Sequence, residues 1–375
     1  MLQLPSDSSV PTPRSERTTN HVLTQHDGIN DRTQDPSSIT PPSPFDPFNT
    51  HHLRLLLNWT TSTSHSISRT PADGPVWQRT IPERALSCPY LLHGIFTVSA
   101  LHLALSTNCQ GSEKRTLIEA ASHHQSAAIA MFTREDADLA ALRLEGFALS
   151  ALLIGAAFAF PLAVAAPSRP PPPPGTGAAA AAAAGTAAPS AVDELVEVFL
   201  LSRKMITYLG PAMHGLQRSE LSAFFLLDDV DGVSNLSRSS RGSIDALWGL
   251  IEETYPATAD RAGANHHHNN HRAIYTETIT HLATLLGKLD GGGEMVSNSF
   301  NWINEVPDGY IELLRVHEPL ALVILAHFCV VLYWLRERWW VARWGERVLQ
   351  EIVGVLGPRW KGRVSWVIGV FENRK

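Results

Sequence analysis

From His51 onward, apolar residues recur at helical spacing, and nowhere do they alternate with polar ones between hairpin turns. Leu53, Leu56, Leu57 and Trp59 open a first helical segment that runs to about Arg69 and ends at Pro71 to Gly74. A short helix over 76–87, with Trp77, Ile81 and Pro82, leads into a longer one. There Ser87 is the candidate cap, and Pro89 suits a first turn because it has no N–H to leave unpaired. Behind it, Leu91, Leu92, Ile95, Phe96, Val98, Leu101, Leu103 and Leu105 are apolar nearly all round, which predicts a central, buried helix. Glu113 to Arg134 and Asp138 to Phe160 continue with alanine and leucine dominant. Further helices are expected from Val192 to about Leu209, over Ile244 to Tyr255 behind a Ser243 cap, and around Ile274 to Leu289. The last two run from Pro319 to about Arg338 and from Trp339 to Leu356. The fold class is all-α, with about ten helices and long variable loops.

Polar and low-complexity stretches divide the pattern. Residues 1–48 are rich in Ser, Thr, Pro, Asp and Asn and cannot bury enough apolar surface to offset the entropy of ordering, so a disordered tail precedes a helical domain over 49–370. Within that domain, 166–191 is a Pro/Ala-rich loop in which Pro170 to Pro174 precede seven alanines from Ala178 to Ala184. Leu236 to Ser243 is a polar break. Residues 256–272 form a His/Asn-rich loop and 290–299 a Gly-rich one, with Phe300, Trp302 and Pro307 in an aromatic loop beyond it.

Composition narrows the function classes. Lys+Arg 30 against Asp+Glu 36 leaves a net charge of −6, which excludes a globally basic nucleic-acid coat. Charged residues are 18% and hydrophobic ones 44% of the 375, so the folded part is apolar-rich. Cys88, Cys109 and Cys329 are too few for a disulfide framework and too scattered for paired zinc ligands, which fits a reducing compartment. No apolar run follows Met1, so nucleus or cytoplasm is the expected location. Residues 146–168 carry no charge and are long enough to span a membrane. Pro161, the alanine content and the lack of a flanking basic cluster favour a core helix instead. The apolar run from Leu320 to Leu335, with His327 inside it, is shorter than a span and reads as core.

Candidate chemistry is sparse. His266 to His268 and His271 lie in an Asn-rich stretch with no carboxylate nearby, and His123 and His124 are adjacent on a helix, pointing about 100° apart, which is poor for joint ligation. His93 and His102 read as hydrogen-bonded core or boundary residues. Cys88 sits at a helix start without a matching His and Asn. Nucleophile-elbow, Walker, dinucleotide and zincin motifs are absent, so an enzyme is not expected and no catalytic or metal-binding residue is assigned. Arg336, Arg338, Arg343 and Arg347 interleave with Trp339, Trp340 and Trp344, which reads as amphipathic helices laying tryptophan on the core with arginine outward.

Three stretches together resemble a known family. VWQRTIPERALSCPYLLHGIFTVSALHLAL, with Trp77 near its start and Leu105 at its end, is similar to the opening helices of the fungal-specific transcription factor domain. His123-His124-Gln125 with Ala127, Ala128 and Phe132 resembles that family's next helix, and Pro319 to Trp344 its C-terminal segment, an apolar helix followed by paired tryptophans. Within the family, the sterol uptake control proteins, zinc binuclear cluster regulators, look nearest.

That resemblance implies an all-α regulatory and ligand-sensing module in the nucleus, with a sterol or other lipophilic ligand in a hydrophobic pocket. It implies partnership with other transcription factors or coactivators, as homo- or heterodimer. The family's DNA reader is an N-terminal six-cysteine cluster holding two zinc ions, and this chain lacks those cysteines, so its own contact with DNA is indirect. Either an upstream coding segment supplies the cluster, and zinc with it, or the chain acts through partners. A sterol wants a concave aliphatic and aromatic cavity with one or two polar anchors. The candidates are Phe300, Trp302, Phe328, Val331, Trp334 and Trp339, with His327 as anchor and core packing as the competing role for each. A membrane-associated protein and an interaction scaffold are the rival readings.

Overall fold

The computed structural model describes residues 49–134, 144–165, 190–226, 230–256 and 266–373. The expected tail over 1–48 and nearly all of the Pro/Ala tract lie outside the described residues. Among those described there is no strand, and the fold is all-α.

Two largely buried helices organise the body. The first, α4 (Pro89–Ala104), starts on Cys88 in an extended conformation with Pro89 in its first turn. Ser87 does not cap it; the Ser87 hydroxyl donates to the Arg84 carbonyl instead. Around α4 pack α1 (Thr50–Asn58), α5 (Gly111–Phe132) and α6 (Leu144–Val164). Between α1 and α4 lie two one-turn helices, α2 (Ser64–Ile67) and α3 (Ile81–Ala85), each preceded by a π-helical turn. A Cβ on Gly94 would stand 2.8 Å from Leu149 Cδ1, so the missing side chain sets how closely α4 and α6 approach.

After α7 (Ala191–Leu209), α8 (Met213–Leu216), α9 (Arg238–Thr254), α10 (His266–Asp290), α11 (Met295–Glu305) and α12 (Asp308–Arg315) comes the second core helix, α13 (Pro319–Trp334). Every residue from Leu320 to Tyr333 in it is buried. Glu318 caps it, accepting from the Ala321 N–H at 3.0 Å and from the Tyr275 hydroxyl of α10. Against α13 lies α14 (Trp344–Val355), where a Cβ on Gly345 would meet the Cys329 carbonyl at 2.8 Å. Two short helices, α15 (Pro358–Lys361) and α16 (Ser365–Glu372), close the chain.

Four further boundaries differ from the sequence expectation. Ser237, not Ser243, caps α9: the Ser237 hydroxyl accepts from the Ser240 N–H at 3.1 Å, while Ser243 is buried within the helix and donates to the Ser240 carbonyl. His266 to Arg272 belong to α10 rather than to a loop. Residues 295–305, expected as the end of a glycine loop and an aromatic loop, are the helix α11. Finally, α13 stops at Trp334, and 335–343 is a run of turns in which Ala342 takes φ 33°, so Trp339 lies in a bend and not at a helix start.

Candidate ligand cavity

The apolarity of α6 has two causes. Half of its most apolar window is buried against the body, and part of the rest, Phe147, Ala151, Ile154 and Gly155, walls a half-open cavity of about 430 Å³. By length and composition α6 also meets the requirement for a membrane span. Opposite stand Met205, Ile206 and Leu209 from the last turns of α7, continuing the amphipathic stripe that Val192, Leu195, Val196 and Phe199 bury further back. Phe224 and Phe225 of a 3-10 turn, Phe300 of α11, and Trp339 with Trp340 of the bend complete the aromatic wall. Ser202, Gln217, Asn301 and Asn304 are neutral polar groups in that wall. A volume of this order, mostly apolar with a few polar groups, suits a small lipophilic molecule.

At one end of the cavity the Arg69 guanidinium joins three separate segments. Its Nε donates to Asp73 Oδ2 at 3.0 Å, its Nη2 to the Phe224 carbonyl at 2.8 Å, and its Nη1 to the Ser297 hydroxyl. Asp73 is fully buried and also accepts from the Ser68 hydroxyl at 2.7 Å and from the backbone N–H groups of Arg69 and Thr70. Glu294, 3.9 Å from Arg69 Nη1, caps α11 by accepting from Val296 N and Ser297 N. The turn at 68–73, the 3-10 turn and the start of α11 are therefore held by one charge cluster.

Of the residues singled out from sequence, Phe300 and Trp339 line the cavity. Phe300 stacks on Trp340 at 6.4 Å and meets Phe158 edge-on at 5.9 Å. Trp339 donates its indole N–H to Ser66 Oγ at 2.9 Å and stacks on His102 at 4.8 Å. Trp302, His327, Phe328, Val331 and Trp334 are not in its wall. Trp302 stacks on Phe328 at 4.2 Å inside the core, and Val331 is fully buried there. His327 donates from Nδ1 to the Val323 carbonyl at 2.8 Å and stacks on Trp366 at 5.4 Å; burial lowers its pKa to about 4. Because α13 is enclosed on all sides, its side chains meet neighbouring helices. Reasoning from sequence missed the residues of α6 and α7 and those of the turns around Arg69 and Phe224; only α6 carried a signal, being more apolar than one buried face requires.

A second cluster lies between α1, α4 and α5. His52 stacks on Phe96 at 4.9 Å, and the His124 ring lies 5.0 Å from both His52 and His93. His124 is buried and His123 beside it exposed, as their angular separation on one helix requires. Among the described residues no group of His, Cys, Asp or Glu is placed to hold a metal ion. Cys88, Cys109 and Cys329 lie on separate segments, and three cysteines cannot supply a six-thiolate zinc cluster.

No family model matches the chain, and no solved structure matches it. A transcription factor does. The chain is 24% identical over 334 residues to a protein of Gibberella zeae named Zn(2)-C6 fungal-type transcription factor. The match covers 85% of this chain and 61% of that relative, so the chain spans less than two thirds of the relative's length.

Proposed function

We propose that this chain is the all-α regulatory body of a nuclear fungal transcription regulator of the Zn(2)-C6 kind, without catalytic activity. The observation that carries this is the similarity to the Gibberella zeae transcription factor across 85% of the chain. Six-cysteine zinc chemistry is not available in these residues, so contact with DNA comes from a zinc cluster outside them or from a partner transcription factor. The half-open apolar cavity supports a ligand-sensing role, with a sterol or another lipophile as the ligand class. Ligand couples to output by binding two arrangements of the body unequally, and α11 is placed to report it, because Phe300 lines the cavity while Glu294 and Ser297 tie the same helix to Arg69.

The test is a fusion of the full chain to an unrelated DNA-binding domain in a fungal reporter strain, with and without added sterol. Ligand-dependent change in reporter output supports the reading. Output equal to the DNA-binding domain alone under every condition overturns it. The composition of α6 favours a second reading, a membrane-associated protein, and retention in the pellet after carbonate extraction would decide for that one.

A further inference from the structure

We propose that the cavity selects uncharged lipophiles over lipophilic carboxylates, and that Asp73 sets this preference by occupying Arg69, the one cation among the described residues of the wall. The proposal rests on the reading of the cavity as a ligand site and names the class of ligand it takes. Among the described residues, Arg69 is the one charged residue lining the cavity. A guanidinium at the end of an apolar cavity is ordinarily a receptor for a carboxylate, which it grips with two parallel hydrogen bonds. Here each guanidinium nitrogen already donates within the protein: Nε to Asp73, Nη1 to Ser297 and Nη2 to the Phe224 carbonyl.

Asp73 cannot yield its place to a ligand. Both of its oxygens are engaged, Oδ1 by Ser68 Oγ and the Thr70 N–H and Oδ2 by Arg69 Nε, and the side chain has no exposure to water. An incoming carboxylate that drew Arg69 away would leave Asp73 buried with its charge unpaired, a strongly unfavourable state. Glu294, 3.9 Å from the same guanidinium, adds a second negative charge, so two carboxylates face one cation at this end of the cavity. The field there repels an anion. Neither of these two carboxylates is in the wall. The wall also offers neutral polar groups, Ser202, Asn304, Asn301 and Gln217, suited to a hydroxyl or a carbonyl.

The experiment uses the purified full chain and a matched pair of probes, oleyl alcohol and oleate, read by emission of the tryptophans in the wall (Trp77, Trp339, Trp340) and by the midpoint of thermal unfolding. Oleyl alcohol is expected to bind at least about tenfold more tightly than oleate. In Asp73→Asn the freed guanidinium is expected to erase or invert that preference. Should Asp73→Asn fail to fold, Glu294→Gln serves the same purpose, with a smaller shift toward oleate expected. Oleate binding as tightly as the alcohol to the unaltered protein overturns the selectivity and leaves the cavity as a ligand site. A folded variant with unchanged preference overturns the role given to the carboxylate it removes. Neither probe binding overturns both the selectivity and the ligand reading.

Discussion

The Nδ1 atoms of His93 on α4 and His124 on α5 lie 2.8 Å apart, close enough that one must carry a proton and the other must not. Burial is the first cause of a lowered pKa at both, and at His124, where the value falls to about 4, the neighbouring His93, His52, His123 and His51 add to it. His52 on α1 is lowered too, by burial and then by His51 and His123. Elsewhere on these helices, Arg54 of α1 and Glu113 of α5 pair with each other at 2.6 Å. A second proton in the cluster would face the neighbouring histidines, which lower the pKa of His124 further.

Stability is therefore expected to fall on acidification. Above the unfolded value of 6.5 the histidines are neutral in both states and this contribution is intact. Between pH 6.5 and about 4 the unfolded chain takes up protons that the folded one refuses, so the loss accumulates as pH falls and levels off below the folded pKa. For His124 alone it amounts to about 3 kcal/mol. Urea unfolding at steps of pH checks this, and His124→Gln should flatten the slope in that window.

Trp344 of α14 donates its indole N–H to the Phe158 carbonyl of α6 at 2.8 Å while its ring meets the Phe158 ring edge-on at 5.9 Å. Trp344→Phe, which keeps a ring and leaves a buried carbonyl without that donor, should cost about 1–3 kcal/mol. Trp344→Ala, which also opens a cavity, should cost about 3–5 kcal/mol. Equal losses in denaturant titrations of the two variants would place the whole effect in the hydrogen bond and none in packing.

Two glycines predict opposite signs. At Gly345 an added Cβ meets backbone atoms of α13, the Cys329 carbonyl at 2.8 Å and Tyr333 N at 3.0 Å, so Gly345→Ala should destabilise by about 1–3 kcal/mol. At Gly155 an added Cβ meets nothing within 4 Å, and Gly155→Ala should stabilise α6 by about 0.5–1 kcal/mol. Because Gly155 lines the cavity, Gly155→Leu should weaken binding of a lipophilic probe without unfolding the protein, measured by tryptophan quenching and thermal midpoint together.

Loss of the Ser237 cap should be modest and local. Ser237→Ala removes the acceptor for the Ser240 N–H and is expected to cost about 1 kcal/mol, whereas Ser243→Ala removes only a bond to a carbonyl inside the helix and should cost less. A thermal midpoint moved further by the second variant than by the first would contradict the assignment of the cap.

Much of the fold was legible because it rests on local rules. Apolar residues on nearly every face over 91–105 and 320–333 report largely enclosed helices, and Pro89 and Pro319 mark their first turns. By contrast α11 stands where Gly291 to Gly293 and Pro307 predict loop, and its serines and asparagines are poor helix formers. In the folded chain those side chains bond to their own helix, Asn298 to the Glu294 carbonyl, Ser299 to that of Met295 and Asn304 to that of Phe300. The two serines at 237 and 243 offer the same capping chemistry, and the choice between them depends on where the chain enters the helix.

The sequence by itself determined the all-α class, the two enclosed helices, the absence of a six-cysteine cluster and the apolar character of the interior, since each follows from composition and helical period along one stretch of chain. Only the tertiary structure decided which apolar residues meet one another and which are left facing open space. Trp302 and Phe328 look like cavity residues by type, yet they stack on each other in the core, while Gly155 and Ile206, ordinary by type, face the cavity. The cavity wall is drawn from segments as far apart as Ile67 and Trp340, and its charge is set by Asp73 acting on Arg69 against Ser297 of another helix. Such juxtaposition depends on how helices cross, and no periodicity within a single helix encodes it.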